Sequence, residues 1–246
     1  MTGRANSALA TAVLVLACWA AVLPARAADY RQIVLDGHTM KWGTPVAGSG
    51  ATVTYAIVDS RRAFLGARNC PVIDPLDRLL AANDIGPTAF DRELGAAFAA
   101  WSAVADIRFR RVDTPDAEIL IGAEAAPSGR AFTNVEYNDP VRGTARASLA
   151  RSVICLNPDE PWKVGFDGNL AVYDVRYALT HEIGHAIGLD HPGRAGELMD
   201  FRYREDFRVP QPGDIAGAVF LYGPNPVLMA AGPGIVRKVN DTTAEQ

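Results

Sequence analysis

The eleven residues His181-Glu182-Ile183-Gly184-His185-Ala186-Ile187-Gly188-Leu189-Asp190-His191 constrain this chain more than any other stretch, because they specify a helix, a turn and a ligand set together. They read H-E-x-x-H-x-x-G-x-x-H. Residues four apart share a helix face, so His181 and His185 can aim imidazole nitrogens at one point. Glu182 precedes His185 by three, which sets its carboxylate beside that point without making it a ligand. Gly188 can take a positive φ, stop the helix and turn the chain back, so that His191 closes the set. Three protein ligands leave a fourth position for water, which is the arrangement of a catalytic zinc site.

A bare H-E-x-x-H arises by chance on many amphipathic helices, and alone it is weak. Here five positions match, and Gly196-Glu197-Leu198-Met199-Asp200 follows at short range. The chain has four histidines, His38, His181, His185 and His191, and three of them fall in the motif. A reading of these as ordinary core histidines would have to place all three at once.

With these residues in hand, the chain resembles a metzincin zinc endopeptidase of the matrixin branch, similar to the matrix metalloproteinases and their small bacterial relatives. Asp190 is the matrixin-type filling of the motif, and Met199 falls at the Met-turn, an apolar floor beneath the ligands. Tyr203 lies four residues on, where matrixins carry the tyrosine of a Pro-x-Tyr wall of the main specificity pocket; Phe201 stands at the proline position. Gly213 to Gly223 resembles the closing helix with its Leu-Tyr-Gly end. Lys41-Trp42, Val53-Thr54-Tyr55 and Ala97 to Ser102 match the opening strand and first helix more loosely. The resemblance covers roughly residues 33–223.

It implies an α+β, zincin-like fold. Expected are a twisted, mixed five-stranded sheet, three main helices with the active-site helix across the sheet, and a small C-terminal subdomain from residue 189. Substrate would add as a strand to one sheet edge, best placed at Arg130 to Tyr137, with Ala145 to Leu149 competing. The second, structural zinc of animal matrixins needs three more histidines, and only His38 is left over, so one zinc is expected. Asp116, Asp159, Glu160, Asp167 and Asp174 are candidate calcium ligands, although isolated carboxylates are mostly just solvated.

The N-terminus reads as an export signal. An apolar run from Ala8 to Leu23 is followed by Ala25-Arg26-Ala27, a small-residue cleavage pattern, and the run is too short for a membrane anchor. Cleavage after Ala27 would leave about 220 residues, enough for one domain with a sizeable core. Loss of Arg4 and Arg26 would take the formal charge from −4 to −6, which with no basic run argues against nucleic acid or anionic lipid as partner. A secreted, monomeric enzyme acting on protein or peptide is the expectation, with a flexible tail at 224–246.

Without the leader, Cys70 and Cys155 remain, an even pair in an oxidising compartment, so a disulfide is expected. The alternative is a cysteine switch, in which a thiolate blocks the open zinc position. Arg68-Asn69-Cys70-Pro71-Val72 superficially resembles that segment, but it follows the presumed first strand, and its use would strand Cys155 as a free thiol.

Alternation and periodicity predict strands at 33–36, 52–58, 107–109, 119–121, 131–135 and 152–156. They predict helices over 90–104, from Asp174 as N-cap, and from Pro212 or Asp214, with an irregular insertion over 60–87. Mechanistically, zinc would acidify a water and Glu182 would act as general base. The competing class is a non-enzymatic peptide-binding domain that has kept the same shell; it would most naturally have lost Glu182 or a histidine, and none is lost.

Overall fold

The computed structural model describes residues 30–230 except 141 and 194. The leader expected over 1–27 and most of the tail expected after 223 lie outside these residues. Short strands open the chain: β1 (Arg31–Gln32), β2 (Val34–Leu35) and β3 (His38–Lys41). They precede β4 (Ala51–Ile57) and the hairpin β5 (Arg62–Ala63) and β6 (Val72–Asp74). Helices α1 (Asp77–Ala82) and α2 (Pro87–Val104) follow, then β7 (Ile107–Arg111), β8 (Ile119–Glu124), β9 (Ala131–Tyr137) and β10 (Arg146–Leu156). The last part holds β11 (Trp162–Lys163), β12 (Tyr173–Asp174), α3 (Val175–Ala186), β13 (Leu189–Asp190), α4 (Pro212–Tyr222) and α5 (Pro226–Ala230).

The five-stranded centre runs β7-β4-β8-β10-β9, parallel throughout except for β9, which is antiparallel at its edge. Two ribbons extend it: β2–β3 continues beside the first half of β10, and β5–β6 attaches to the end of β8. Residues 146–149 of the competing segment open β10, where 146–148 pair with β3 and Leu149 pairs with Tyr137, while Ala131 to Tyr137 is the edge. Residues 60–87 are not wholly irregular as expected. They hold β5, β6 and α1, and bury Phe64 just after β5, Ile73 in β6, and Leu79 and Leu80 in α1. Single short apolar pairs carry too little periodicity to be read as elements.

Helix α2 begins with Pro87 in its first turn, where no backbone donor is needed, and buries Phe90, Leu94, Ala97, Phe98 and Trp101 along one face. Helix α3 begins at Asp174, whose carboxylate accepts from Tyr177 N–H at 2.8 Å. These two helices and one sheet face enclose the main core. The opposite sheet face carries a second cluster with Phe64, Cys70, Leu120, Val153 and Cys155. Cys70 and Cys155 form a disulfide there, with Cα atoms 5.8 Å apart. The pair expected from composition is thus made, and among the described residues no free cysteine is left for a switch.

The end of α3 is held from three directions. Trp42 Nε1 donates to Ala186 O at 2.8 Å, Ser152 Oγ to the same oxygen at 3.1 Å, and Tyr222 Oη to Ile187 O at 2.6 Å. These bonds satisfy carbonyls that a helix end leaves open. Gly188 then turns the chain at φ +104°, and a Cβ there would stand 2.2 Å from Met40 O. Past Gly223, α5 occupies 226–230, and Asn225 Nδ2 donates to Ser102 O at 2.7 Å.

Candidate active site

His181 and His185 lie one turn apart on α3, and His191 returns over them after the Gly188 turn. His181 Nε2 and His185 Nε2 each stand 3.1 Å from His191 Nε2. The Nδ1 atoms of His181 and His185 donate to Leu198 O and Leu189 O, both at 2.8 Å. With the proton on Nδ1, the Nε2 atoms of His181 and His185 present lone pairs toward His191 Nε2, and a cation among the three nitrogens would satisfy them together. Tetrahedral zinc with Zn–N of about 2.05 Å would set its nitrogens about 3.3 Å apart. The donor set therefore fits zinc. Burial, then the neighbouring histidines, hold His181 and His185 down to about 4, so both are neutral and ready to ligate. Among the described residues this is the one group of three or more His, Cys, Asp or Glu side chains arranged to hold an ion.

Glu182 is buried beside the triad, and Thr133 Oγ1 from the edge strand β9 stands 2.7 Å from Glu182 Oε2. Burial raises the Glu182 carboxyl above its ordinary value, while His181 and Thr133 oppose that shift. Met199 is buried under the helix with its backbone N–H on Asp214 Oδ1 at 3.1 Å; Leu198 N–H binds Asp214 Oδ2 at 2.7 Å. One α4 carboxylate thus clasps the turn beneath the histidines.

A cavity of about 560 Å³ opens beside Glu182. Its walls include Tyr173, Tyr177 and Tyr203. Tyr203 stacks on Tyr173 at 4.3 Å, meets Tyr177 edge-on at 5.0 Å and donates to Glu205 Oε1 at 2.8 Å. Burial pushes the Tyr177 and Tyr203 hydroxyls up, which keeps both neutral. Phe201, in place of the wall proline, is 66 % exposed at the rim, its ring 6.5 Å from that of His191.

Of the residues read as candidate calcium ligands, Asp159 pairs with Arg78, Asp167 with Lys163, and Asp174 with Arg208 at 3.2 Å. Asp116 and Glu160 join no such cluster among the described residues.

Several site residues were not singled out from the sequence. Tyr177 sits four before His181, one helical turn back on the same face, and that spacing could have marked it. Thr133, Asp200 and Asp214 reach the site from other elements, and no local pattern announces them.

Comparison with known proteins agrees with this geometry. The family profile described as Matrixin matches residues 79–223, more than half of the chain. The chain is 33 % identical over 140 residues to Metalloendoproteinase 1-MMP of Arabidopsis thaliana, a stretch that covers 54 % of this chain and 37 % of that protein. It is 27 % identical to Matrix metalloproteinase-20 of Homo sapiens over 56 % of this chain and 29 % of that protein. Matrilysin of Mus musculus is 30 % identical over 57 % of this chain and 54 % of its own length. The chain spans only about a third of the length of the first two of these relatives. No helix among the described residues is long and apolar enough to cross a membrane. Profile, relatives, mixed sheet and histidine triad lead to one conclusion: the chain belongs to the matrixin family.

Proposed function

We propose that this protein is a secreted zinc-dependent endopeptidase that cleaves extended peptide segments, with His181, His185 and His191 as zinc ligands and Glu182 as general base. The observation that carries the proposal is the convergence of three imidazole nitrogens beside a buried carboxylate in an open cleft. Zinc bound there would supply a Lewis acid that lowers the pKa of water from 15.7 to about 7. Glu182 takes the proton from the attacking water and returns it to the leaving amine, so one carboxylate serves both halves of the reaction. Thr133 orients that carboxylate, and Met199 supports the ligand floor.

Substrate lies antiparallel along the free edge of β9. One of its side chains enters the cavity walled by Tyr173, Tyr177 and Tyr203. Residues 1–27 direct export, residues 28–223 form the catalytic domain as a monomer, and residues 224–246 are a C-terminal tail.

The test is to load the full chain and Glu182→Ala with zinc, count metal per chain, and offer both a mixed peptide library read by mass spectrometry. One zinc in each, cleavage by the parent alone and loss with a chelator are expected. Zinc without cleavage would favour a peptide-binding role, and no zinc would overturn the reading.

A further inference from the structure

On the face of β9 turned away from α3 lies a second cavity of about 340 Å³, lined by Arg61, Arg68, Asn69, Glu124, Ser128 and Phe132 among others. Asn69 and Phe132 line both this cavity and the zinc cleft, so the two adjoin across the edge strand. We propose that it is a second substrate subsite, shaped for a carboxamide side chain (Gln or Asn) next in sequence to the residue in the tyrosine pocket. The proposal rests on the endopeptidase reading and names a specificity element of the same cleft.

Strand geometry supplies the first argument. Strand β9 pairs with β10 on one side, and no strand among the described residues pairs with its other side. Thr133 points toward α3 and reaches Glu182, while its neighbour Phe132 packs into the cluster on the opposite face. A peptide added along the free edge alternates in the same way. If one of its side chains enters the tyrosine pocket, the next is turned toward the outer face, where this cavity lies.

The chemistry of the lining selects the occupant. Glu124 is 5 % exposed; its Oε2 accepts from Ser128 N–H at 2.7 Å, and its Oε1 is buried with no partner. A buried acceptor left unmade costs free energy that a donor on a ligand would recover. At the rim, the Arg61 guanidinium is already engaged by Asp74 at 2.6 and 2.8 Å. The Arg68 guanidinium makes no ion pair or hydrogen bond among the described residues. The cavity thus holds one idle acceptor and one idle donor. A carboxamide answers both, its NH₂ to Glu124 and its carbonyl to Arg68. A carboxylate would face Glu124 with like charge, and an ammonium would sit among guanidiniums.

The wall is built rather than loose. The Cys70–Cys155 disulfide ties the loop to β10, and Arg68 N–H donates to Asn134 Oδ1 of β9 at 3.2 Å. Residues 61–72 precede the stretch that matches the family profile, so this wall is outside what the match covers.

The experiment uses the full zinc-loaded chain and a peptide series in which the residue beside the tyrosine-pocket position is Gln, Asn, Glu, Lys or Leu. We expect kcat/KM about tenfold higher for Gln or Asn than for the others. Glu124→Gln, isosteric and able to donate, should shift the preference from Gln toward Glu. Arg68→Ala should erase the Gln preference while the choice at the tyrosine pocket stays as in the parent. Indifference of the parent to this position, or an unchanged preference in both variants, would overturn the subsite. Affinity of the same peptides for Glu182→Ala protein reads the subsite without turnover. Gln-selective binding that depends on Glu124, without cleavage by the parent, would keep the subsite and sink the endopeptidase reading. Absence of selective binding would sink the subsite alone.

Discussion

Met199 Sδ lies against Gly184 so closely that a Cβ on Gly184 would stand 2.2 Å from it and 2.9 Å from Trp101 Cζ2. A glycine inside a helix normally costs about 1 kcal/mol against alanine. Here the missing side chain is the space in which the Met-turn sulfur sits. Gly184→Ala should therefore destabilise by about 1–3 kcal/mol through overpacking, outweighing its propensity gain. It should also weaken zinc retention, because Leu198 O, which orients His181, belongs to the same turn. Thermal melts with and without zinc check this; a higher melting temperature with unchanged zinc binding would show that the packing argument fails.

Thr133 couples the edge strand β9 to the proposed base at 2.7 Å. Glu182→Ala should lower kcat by at least about 10²–10⁴ while zinc stays bound. Thr133→Val should give a smaller loss, expressed in kcat more than in KM, since the carboxylate loses its orienting donor. Steady-state kinetics on one peptide substrate separate the two. Equal turnover in parent and Glu182→Ala protein would remove Glu182 from the reaction.

The zinc site should tolerate mild acid. His181 and His185 titrate near 4 in the metal-free fold, against an ordinary imidazole value of about 6.5. Protons therefore compete with zinc at these two ligands only as pH approaches 4. The same depression has a stability consequence. The contribution is fully present above about 6.5 and is lost as pH falls through 4, because the unfolded chain binds protons first. From pH 7 to 4.5, proton competition at His181 and His185 should take little from the measured zinc affinity. A decline of about a hundredfold per pH unit setting in at 6.5 would contradict this assignment.

Removing the disulfide should be costly. Cys70 and Cys155 are 85 residues apart in sequence. Closing so long a loop restricts the unfolded chain by an amount worth about 2–5 kcal/mol. Cys70→Ser with Cys155→Ser should melt lower by that margin and become sensitive to proteolysis within residues 61–72. A variant as stable as the parent would place the stabilisation elsewhere.

The disulfide, the strands at 52–58, 107–109, 119–121 and 131–135, and the three long helices were legible because each follows from a short-range regularity. Alternation marks a strand, a 3.6-residue period marks a helix, and the two cysteines left once the expected leader is set aside mark a bridge. The hairpin and helix inside 60–87 were not legible, since two- and three-residue strands exist only through the pairing partners that the fold supplies.

The same division runs through the site. The sequence alone determined the triad, because His181 and His185 are brought together by one helical turn and Gly188 provides the positive φ that returns His191. It also determined the place of Glu182, one residue from a candidate ligand. Tertiary structure decided everything that reaches the triad from a distance. The hydroxyl of Thr133 on Glu182 depends on the register of β9 against β10, and the Asp214 clasp of the Met-turn on how α4 packs. The buried, half-partnered Glu124 depends on a loop pinned by Cys70. Such contacts depend on elements brought together by the fold, and the free energy that selects them is that of packing the whole core, which no local pattern records.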